Sequence, residues 1–114
     1  MRLNHVALTV ADREVSATFY ADYFGMKERV HDDDHLLILA GSNGCILALS
    51  EAIVPPQPPR TTHFGFQADN ADAVRAARKT FRAEGVVEAE WQERGPTRVQ
   101  VFDPDGYRVE IYAF

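Results

Sequence analysis

The feature that most narrows what this chain can fold into is an internal repeat. Residues 3 to 10, Leu-Asn-His-Val-Ala-Leu-Thr-Val, alternate as a strand does, with Val6, Leu8 and Val10 on one face and His5, Ala7 and Thr9 on the other. Asp12 then stands where a helix N-cap belongs, Val15, Phe19 and Tyr23 recur at helical spacing, and Gly25 is placed to end the helix. Three strands are expected at 27–30, 35–40 and 45–50, the last two joined by Gly41-Ser42-Asn43-Gly44. The second half repeats the order. A strand at 62–68 carries Phe64 and Phe66 on one face, Asn70 caps a helix with the stripe Val74, Ala77 and Phe81, and Gly85 ends it. Strands at 86–92, 97–102 and 107–114 follow, the last two linked by the turn sequence Asp103-Pro104-Asp105-Gly106.

The fold class expected from this pattern is α+β, built from two βαβββ modules. The proline-rich stretch 55–59 belongs in neither a helix nor a central strand, so it divides module 1 (1–54) from module 2 (60–114). A half of this size, with one helix, is close to the lower limit for independent folding, so the two modules are expected to form a single domain over 1–114. The single cysteine, Cys45, rules out an internal disulfide framework and makes a reducing compartment the expectation. Cys45 shares a face with Leu47 and Leu49 and reads as a small buried hydrophobe. A net charge of −5 has the wrong sign for general binding to nucleic acid. Residues 1 to 10 lack the apolar core of a signal peptide, and no apolar run is long enough to span a membrane, so a cytoplasmic protein is expected.

Matching the halves brings out the first chemical signal. First strands align at an offset of 58, setting His5 against His63; final hairpin glycines align at an offset of 62, setting Ala48 against Glu110. Alternation puts Glu110 on the face opposite Val109, Ile111 and Ala113, together with Arg108 and Tyr112. His63 likewise shares a face with Gly65 and Gln67, away from Phe64 and Phe66. His5, His63 and Glu110 are therefore expected to leave the helix-packed side of their sheets, as a sheet-lined concave site requires. His31 and His35, flanking Asp32-Asp33-Asp34, read as a solvated hairpin turn.

The blocks Leu3-Asn4-His5-Val6-Ala7-Leu8-Thr9-Val10, Phe19-Tyr20 through Phe24-Gly25-Met26, Thr62-His63-Phe64 and Phe102-Asp103-Pro104-Asp105-Gly106-Tyr107-Arg108-Val109-Glu110 resemble the vicinal oxygen chelate superfamily. That superfamily contains glyoxalase I, bleomycin and fosfomycin resistance proteins, methylmalonyl-CoA epimerase and extradiol dioxygenases. The resemblance implies modules whose sheets curl round a divalent metal, commonly in a homodimer. Carried over residue by residue, it assigns His5, His63 and Glu110 as metal ligands, while the fourth ligand position falls on Ala48. Two histidines and a carboxylate suit Fe(II), Mn(II), Ni(II), Co(II) or Zn(II), with positions left for two neighbouring oxygens of a substrate.

The resemblance implies a small metal-dependent enzyme with lyase, isomerase, thiol transferase or dioxygenase chemistry. The alternative is a non-catalytic protein that sequesters a small molecule, as bleomycin resistance proteins do. Ala48 departs from the four-ligand pattern of glyoxalase I and the epimerases. Ala7 and Gln100 depart from the Thr and Tyr of the fosfomycin thiol transferases. On the site face, Tyr112 is the candidate acid or base and Arg108 a candidate stabiliser of developing negative charge. Arg98, Gln67 and Gln100 are candidate contacts to an anionic substrate, and Trp91 is a candidate either to line the cup or to pack under it.

Overall fold

In each half of the chain the first strand lies parallel beside the last. The computed structural model describes residues 1–53 and 57–114, and contacts group the chain into two compact units, Met1–Pro56 and Gln57–Phe114. Of the proline stretch 55–59, residues 55 and 56 lie outside the described residues. Unit 1 consists of β1 (His5–Val10), α1 (Arg13–Phe24), β2 (Glu28–Asp32), β3 (Leu37–Ala40) and β4 (Ile46–Glu51), in the sheet order β1-β4-β3-β2. Unit 2 consists of β5 (His63–Gln67), α2 (Ala71–Ala83), β6 (Glu88–Gln92), β7 (Thr97–Phe102) and β8 (Arg108–Ala113), in the order β5-β8-β7-β6. Both sheets are mixed: the first strand pairs parallel with the last, and the remaining pairs are antiparallel. The expected α+β class and the twofold βαβββ order stand, with strand ends moved by one or two residues.

The helices begin and end where local chemistry dictates. The Asp12 carboxylate accepts from the backbone N–H groups of Glu14 (2.9 Å) and Val15 (3.2 Å), and Asn70 accepts from that of Ala73 (2.9 Å). Gly25, at φ +71°, takes the left-handed conformation that lets its N–H return to the Tyr20 carbonyl. The buried face of α1 differs from expectation. Ser16, Ala17 and Tyr20 point inward, Val15 is exposed, and Phe19 and Tyr23 are half-buried. Small residues at 16 and 17 let the helix lie close to its sheet, with the Tyr20 ring as the one large wedge. Phe19 instead packs edge-on against both Tyr20 and Tyr23, at 5.2 Å in each case. In α2 the expected stripe holds: Val74 and Phe81 are buried and Ala77 half-buried. Their floor is Val99, Val101 and Val109, all fully buried. Among the described residues no helix is long and apolar enough to cross a membrane.

The Asp32-Asp33-Asp34 segment is exposed, as expected, although His31 and Asp32 belong to β2 and β3 starts only at Leu37. Asp33 organises this turn. Its Oδ1 accepts from the N–H groups of His35 and Leu36, each at 2.8 Å, and its Oδ2 lies 2.8 Å from His31 Nε2. The His35 N–H, then the His31 ring, then the Leu36 N–H stabilise the charged carboxylate and lower its pKa from 3.8 to about 2. A depressed carboxyl stabilises the fold above its unfolded-state value and loses that contribution as pH falls through the folded one. A carbon-detected NMR titration is therefore expected to place the Asp33 carboxyl midpoint near 2, with the β2–β3 turn loosening between 3.8 and that value. A midpoint at 3.8 contradicts this reading of the turn.

Candidate functional site

Strand register sorts the face of the unit 2 sheet opposite α2 into three cross-strand rows, because directly paired residues share a face. The middle row is Gly65 (β5), Glu110 (β8), Gln100 (β7) and Glu90 (β6). On one side of it run Gln67, Tyr112, Arg98 and Gln92, and on the other His63, Arg108 and Phe102. The structure thus gathers His63, Gln67, Arg98, Gln100, Arg108, Glu110 and Tyr112 on one surface.

Glu110 is the centre of this surface. Its side chain is only 12% exposed, and its Oε2 accepts from Gln100 Nε2 at 2.9 Å and from Arg98 Nη1 at 3.4 Å. Gln100 is itself 2% exposed, so its amide is committed to this carboxylate. Arg98 also bonds Glu90 through Nη2 and donates from Nε to Gln92 Oε1 at 3.3 Å. The Gln92 amide is anchored in turn on the carbonyls of Arg94 (2.7 Å) and Pro96 (3.2 Å). Arg98, expected to contact substrate, has its guanidinium shared between two carboxylates, Glu90 and Glu110.

His63 faces the same oxygen. Its Nδ1 lies 2.9 Å from the Thr61 carbonyl, which can only accept, so Nδ1 carries the hydrogen and the neutral ring keeps its lone pair on Nε2. Nε2 sits 3.8 Å from Glu110 Oε2. That is too far for a hydrogen bond; a protonated ring there is the cation of an ion pair with Glu110, and a neutral ring turns its Nε2 lone pair toward the carboxylate oxygen. First-row metal bonds to imidazole nitrogen and carboxylate oxygen are about 2.0–2.2 Å long, so one cation can span the separation. The donor set and the fixed ring tautomer fit a divalent ion. Among the described residues, however, no three His, Cys, Asp or Glu side chains converge on such a position. Of the expected ligand trio, His63 and Glu110 meet in unit 2, whereas His5 is exposed at the head of β1 in unit 1.

Of the two placements open to Trp91, the structure takes the one beneath the cup. Trp91 pairs in register with Val99, on the helix side of the sheet, and its ring lies under the Arg78 guanidinium of α2 at 4.3 Å. One slip of the period-2 pattern separates the two faces, and the bulge between Glu88 and Glu90 hides the phase of β6 from the sequence. Arg108 remains on the site face, half-buried beside the Phe102 ring at 5.3 Å, and forms no ion pair among the described residues.

Sequence reasoning missed three contributors. Glu90 and Gln92 complete the clamp on Arg98, and only strand register shows it. Gly65 matters for the space it leaves: a Cβ there would lie 2.6 Å from Glu110 Cγ, 3.0 Å from its Oε1 and 3.2 Å from Tyr112 Cδ1. A glycine inside a strand, two residues after His63, was the available signal.

Unit 1 repeats this register without the chemistry. Ala7, Ala48 and Ile38 pair as Gly65, Glu110 and Gln100 do, at the offsets already read from the sequence. Where unit 2 holds a carboxylate and its amide donor, unit 1 holds Ala48 and Ile38.

A model of the Glyoxalase/Bleomycin resistance protein/Dioxygenase superfamily matches residues 2–111. The glutathione transferase FosA of Serratia marcescens is 26% identical over 112 residues, covering 96% of this chain and 79% of that protein. Among solved structures, a possible glyoxalase from Bacillus cereus aligns with a TM-score of 0.85 at 25% identity, over 98% of both chains. The fosfomycin resistance protein FosX of Listeria monocytogenes, in complex with Mn(II) and sulfate, aligns at 0.83 and 20% identity, over 98% of this chain and 89% of that one. With a family model spanning nearly its whole length, the chain belongs to the Glyoxalase/Bleomycin resistance protein/Dioxygenase superfamily.

Proposed function

We propose that this protein is a divalent-metal-dependent enzyme that takes a small anionic substrate by two adjacent oxygens. The observation that carries the reading is the facing of His63 Nε2 and Glu110 Oε2 across 3.8 Å, each donor fixed by its own hydrogen bond. His63 and Glu110 hold the metal, and His5 completes the ligand set. Ala48 supplies no fourth ligand, which leaves coordination positions for substrate. The bound ion, Mn(II) in the FosX complex, supplies Lewis acidity at the chelated oxygens.

The chain's own residues do the rest. Arg108, the cation of this face without an ion-pair partner among the described residues, meets the substrate's negative charge beside His63. The Tyr112 hydroxyl, one row beyond Glu110, gives or takes the proton, and Gln67 beside it orients the substrate. Gln100 and Arg98 keep Glu110 from rotating toward solvent. Likeness to a glutathione transferase supports group transfer from a thiol among the family's reactions. The protein works in the cytoplasm as a homodimer: each sheet leaves its first strand, β1 or β5, as an edge, and pairing of modules covers such edges.

Metal analysis of protein purified without chelator and loaded with Mn(II) is expected to give about one ion per chain. His63→Ala, Glu110→Ala and His5→Ala are each expected to lose it. Wild-type protein that cannot be loaded defeats the enzyme reading and leaves small-molecule sequestration. Gly65→Ala is expected to weaken metal binding about 10–100-fold by pushing Glu110 aside while leaving the strand intact, because this glycine has no positive φ. Unchanged affinity in this variant means that the close approach of Gly65 to Glu110 has no role in the site. Sedimentation at micromolar concentration is expected to show a dimer, and a monomer alone refutes that part of the proposal.

A further inference from the structure

On the opposite side of the unit 2 sheet, a cleft of about 370 Å³ lies between α2 and β6. Its walls are Arg75, Arg78, Lys79, Arg82, Trp91 and Glu93. The four cations fall at positions i, i+3, i+4 and i+7 of one helix, a single solvent-facing stripe about 10 Å long. They are four of the twelve basic residues in a chain whose net charge is −5, and against them stand the carboxylates of Asp72, Glu88 and Glu93.

The four do not have the same freedom. Arg78 is fixed: Glu88 binds it in a fork, at 2.7 Å from Nε and 3.0 Å from Nη2, and it stacks on Trp91. Arg75 is tied to Asp72 (2.8 Å) and Glu93 (2.9 Å). Lys79 and Arg82 are exposed and form no ion pair among the described residues. One turn of helix thus presents Lys79 and Arg82, neither held in an ion pair although Arg82 acts on Glu88 at longer range, beside a flat Arg78–Trp91 stack.

In unit 1 a smaller cleft beside α1 and β2 takes Ala17, Thr18, Ala21 and Asp22 from its helix, none of them basic. Its basic residues, Lys27 and Arg29, come from beyond the helix, and Arg29 is paired with Glu14 and Asp32. The helix of unit 1 therefore packs on its sheet without a cationic stripe, and Lys79 and Arg82 in unit 2 are not accounted for by the pairing and stacking that hold Arg75 and Arg78.

We infer that the α2–β6 cleft is a second ligand site, for a small polyphosphorylated molecule held by Lys79 and Arg82 against the Arg78–Trp91 stack. The cleft is in the size range of small-ligand pockets. An extended nucleic acid is a poorer fit, because the cations end with one helix face and the remainder of the chain is acidic.

Trp91 is the only tryptophan, so its fluorescence reports on this cleft alone. Titrations with sodium tripolyphosphate and with ATP at low ionic strength are expected to give saturable changes that weaken as salt is added. Tighter binding of ATP identifies the stack as a base platform, whereas equal affinity identifies the phosphates as the whole of what is recognised. The double variant Lys79→Gln/Arg82→Gln is expected to lose about tenfold or more in affinity with its thermal midpoint unchanged. Removing the same charge elsewhere, in Arg2→Gln/Lys27→Gln, is expected to leave binding within about twofold. Absence of a saturable signal up to about 10 mM, or equal losses in the two double variants, overturns the inference.

Discussion

Parallel pairing of the first and last strands of each module is the constraint on which the rest depends. Residues on β5 and β8 are about 45 positions apart in the chain, yet the ladder sets Gly65 beside Glu110 and His63 beside Arg108. A parallel neighbour cannot be reached by a tight turn. The helix and two intervening strands are the connection, and their antiparallel pairing to β8 brings Gln100 and Arg98 alongside. A one-residue slip between β5 and β8 would turn His63 toward the helix and leave Glu110 facing Phe64 or Phe66. The apolar face of Phe64, Phe66, Val109 and Ile111 resists that slip, so the core sets the register and the register assembles the polar surface.

Much of this was legible beforehand because the repeat fixes register twice. The offsets of 58 and 62 read from His5/His63 and Gly44/Gly106 match the observed pairings of Ala7 with Ala48 and Gly65 with Glu110. Caps at Asp12, Gly25 and Asn70 were visible for a local reason, since a few adjacent residues determine them. The failures have a different origin. The inward face of α1 depends on how closely the helix approaches its sheet, which the spacing of Val15, Phe19 and Tyr23 does not encode. Trp91 and Arg98 are harder to read because the bulge in β6 changes phase and because the partners of Arg98 come from two other strands, β6 and β8. Gly65 was placed on the correct face, but its meaning lies in a distance to Glu110.

Comparison of the two modules separates what the architecture requires from what has been added to it. Both sheets close over a helix, and both keep the same ladder. Only unit 2 replaces the Ala48 and Ile38 positions with Glu110 and Gln100, and only its helix carries a basic stripe. A buried carboxylate is costly unless it is hydrogen-bonded and compensated, so Glu110 is a substitution the fold does not demand. Its cost is limited by partners that have no equivalent in unit 1.

The compensation is incomplete, and the shortfall has a direction. Arg98 contributes one positive charge to two carboxylates, Glu90 and Glu110, and the Gln100 amide adds hydrogen bonding without charge. With both carboxylates ionised, the cluster keeps one net negative charge, directed at the lone pair of His63 Nε2. A second cation neutralises the cluster: a metal ion does so, and so does the His63 ring when it is protonated. Arg108, nearest in register to His63, packs instead against Phe102. Negative charge held in a half-buried place at low effective dielectric attracts a cation far more strongly than the same charge in water. The excess negative charge thus falls at one point, between the His63 imidazole and the Glu110 carboxylate. That asymmetry, rather than the bare presence of His63 and Glu110, is the physical argument behind the proposed metal ion.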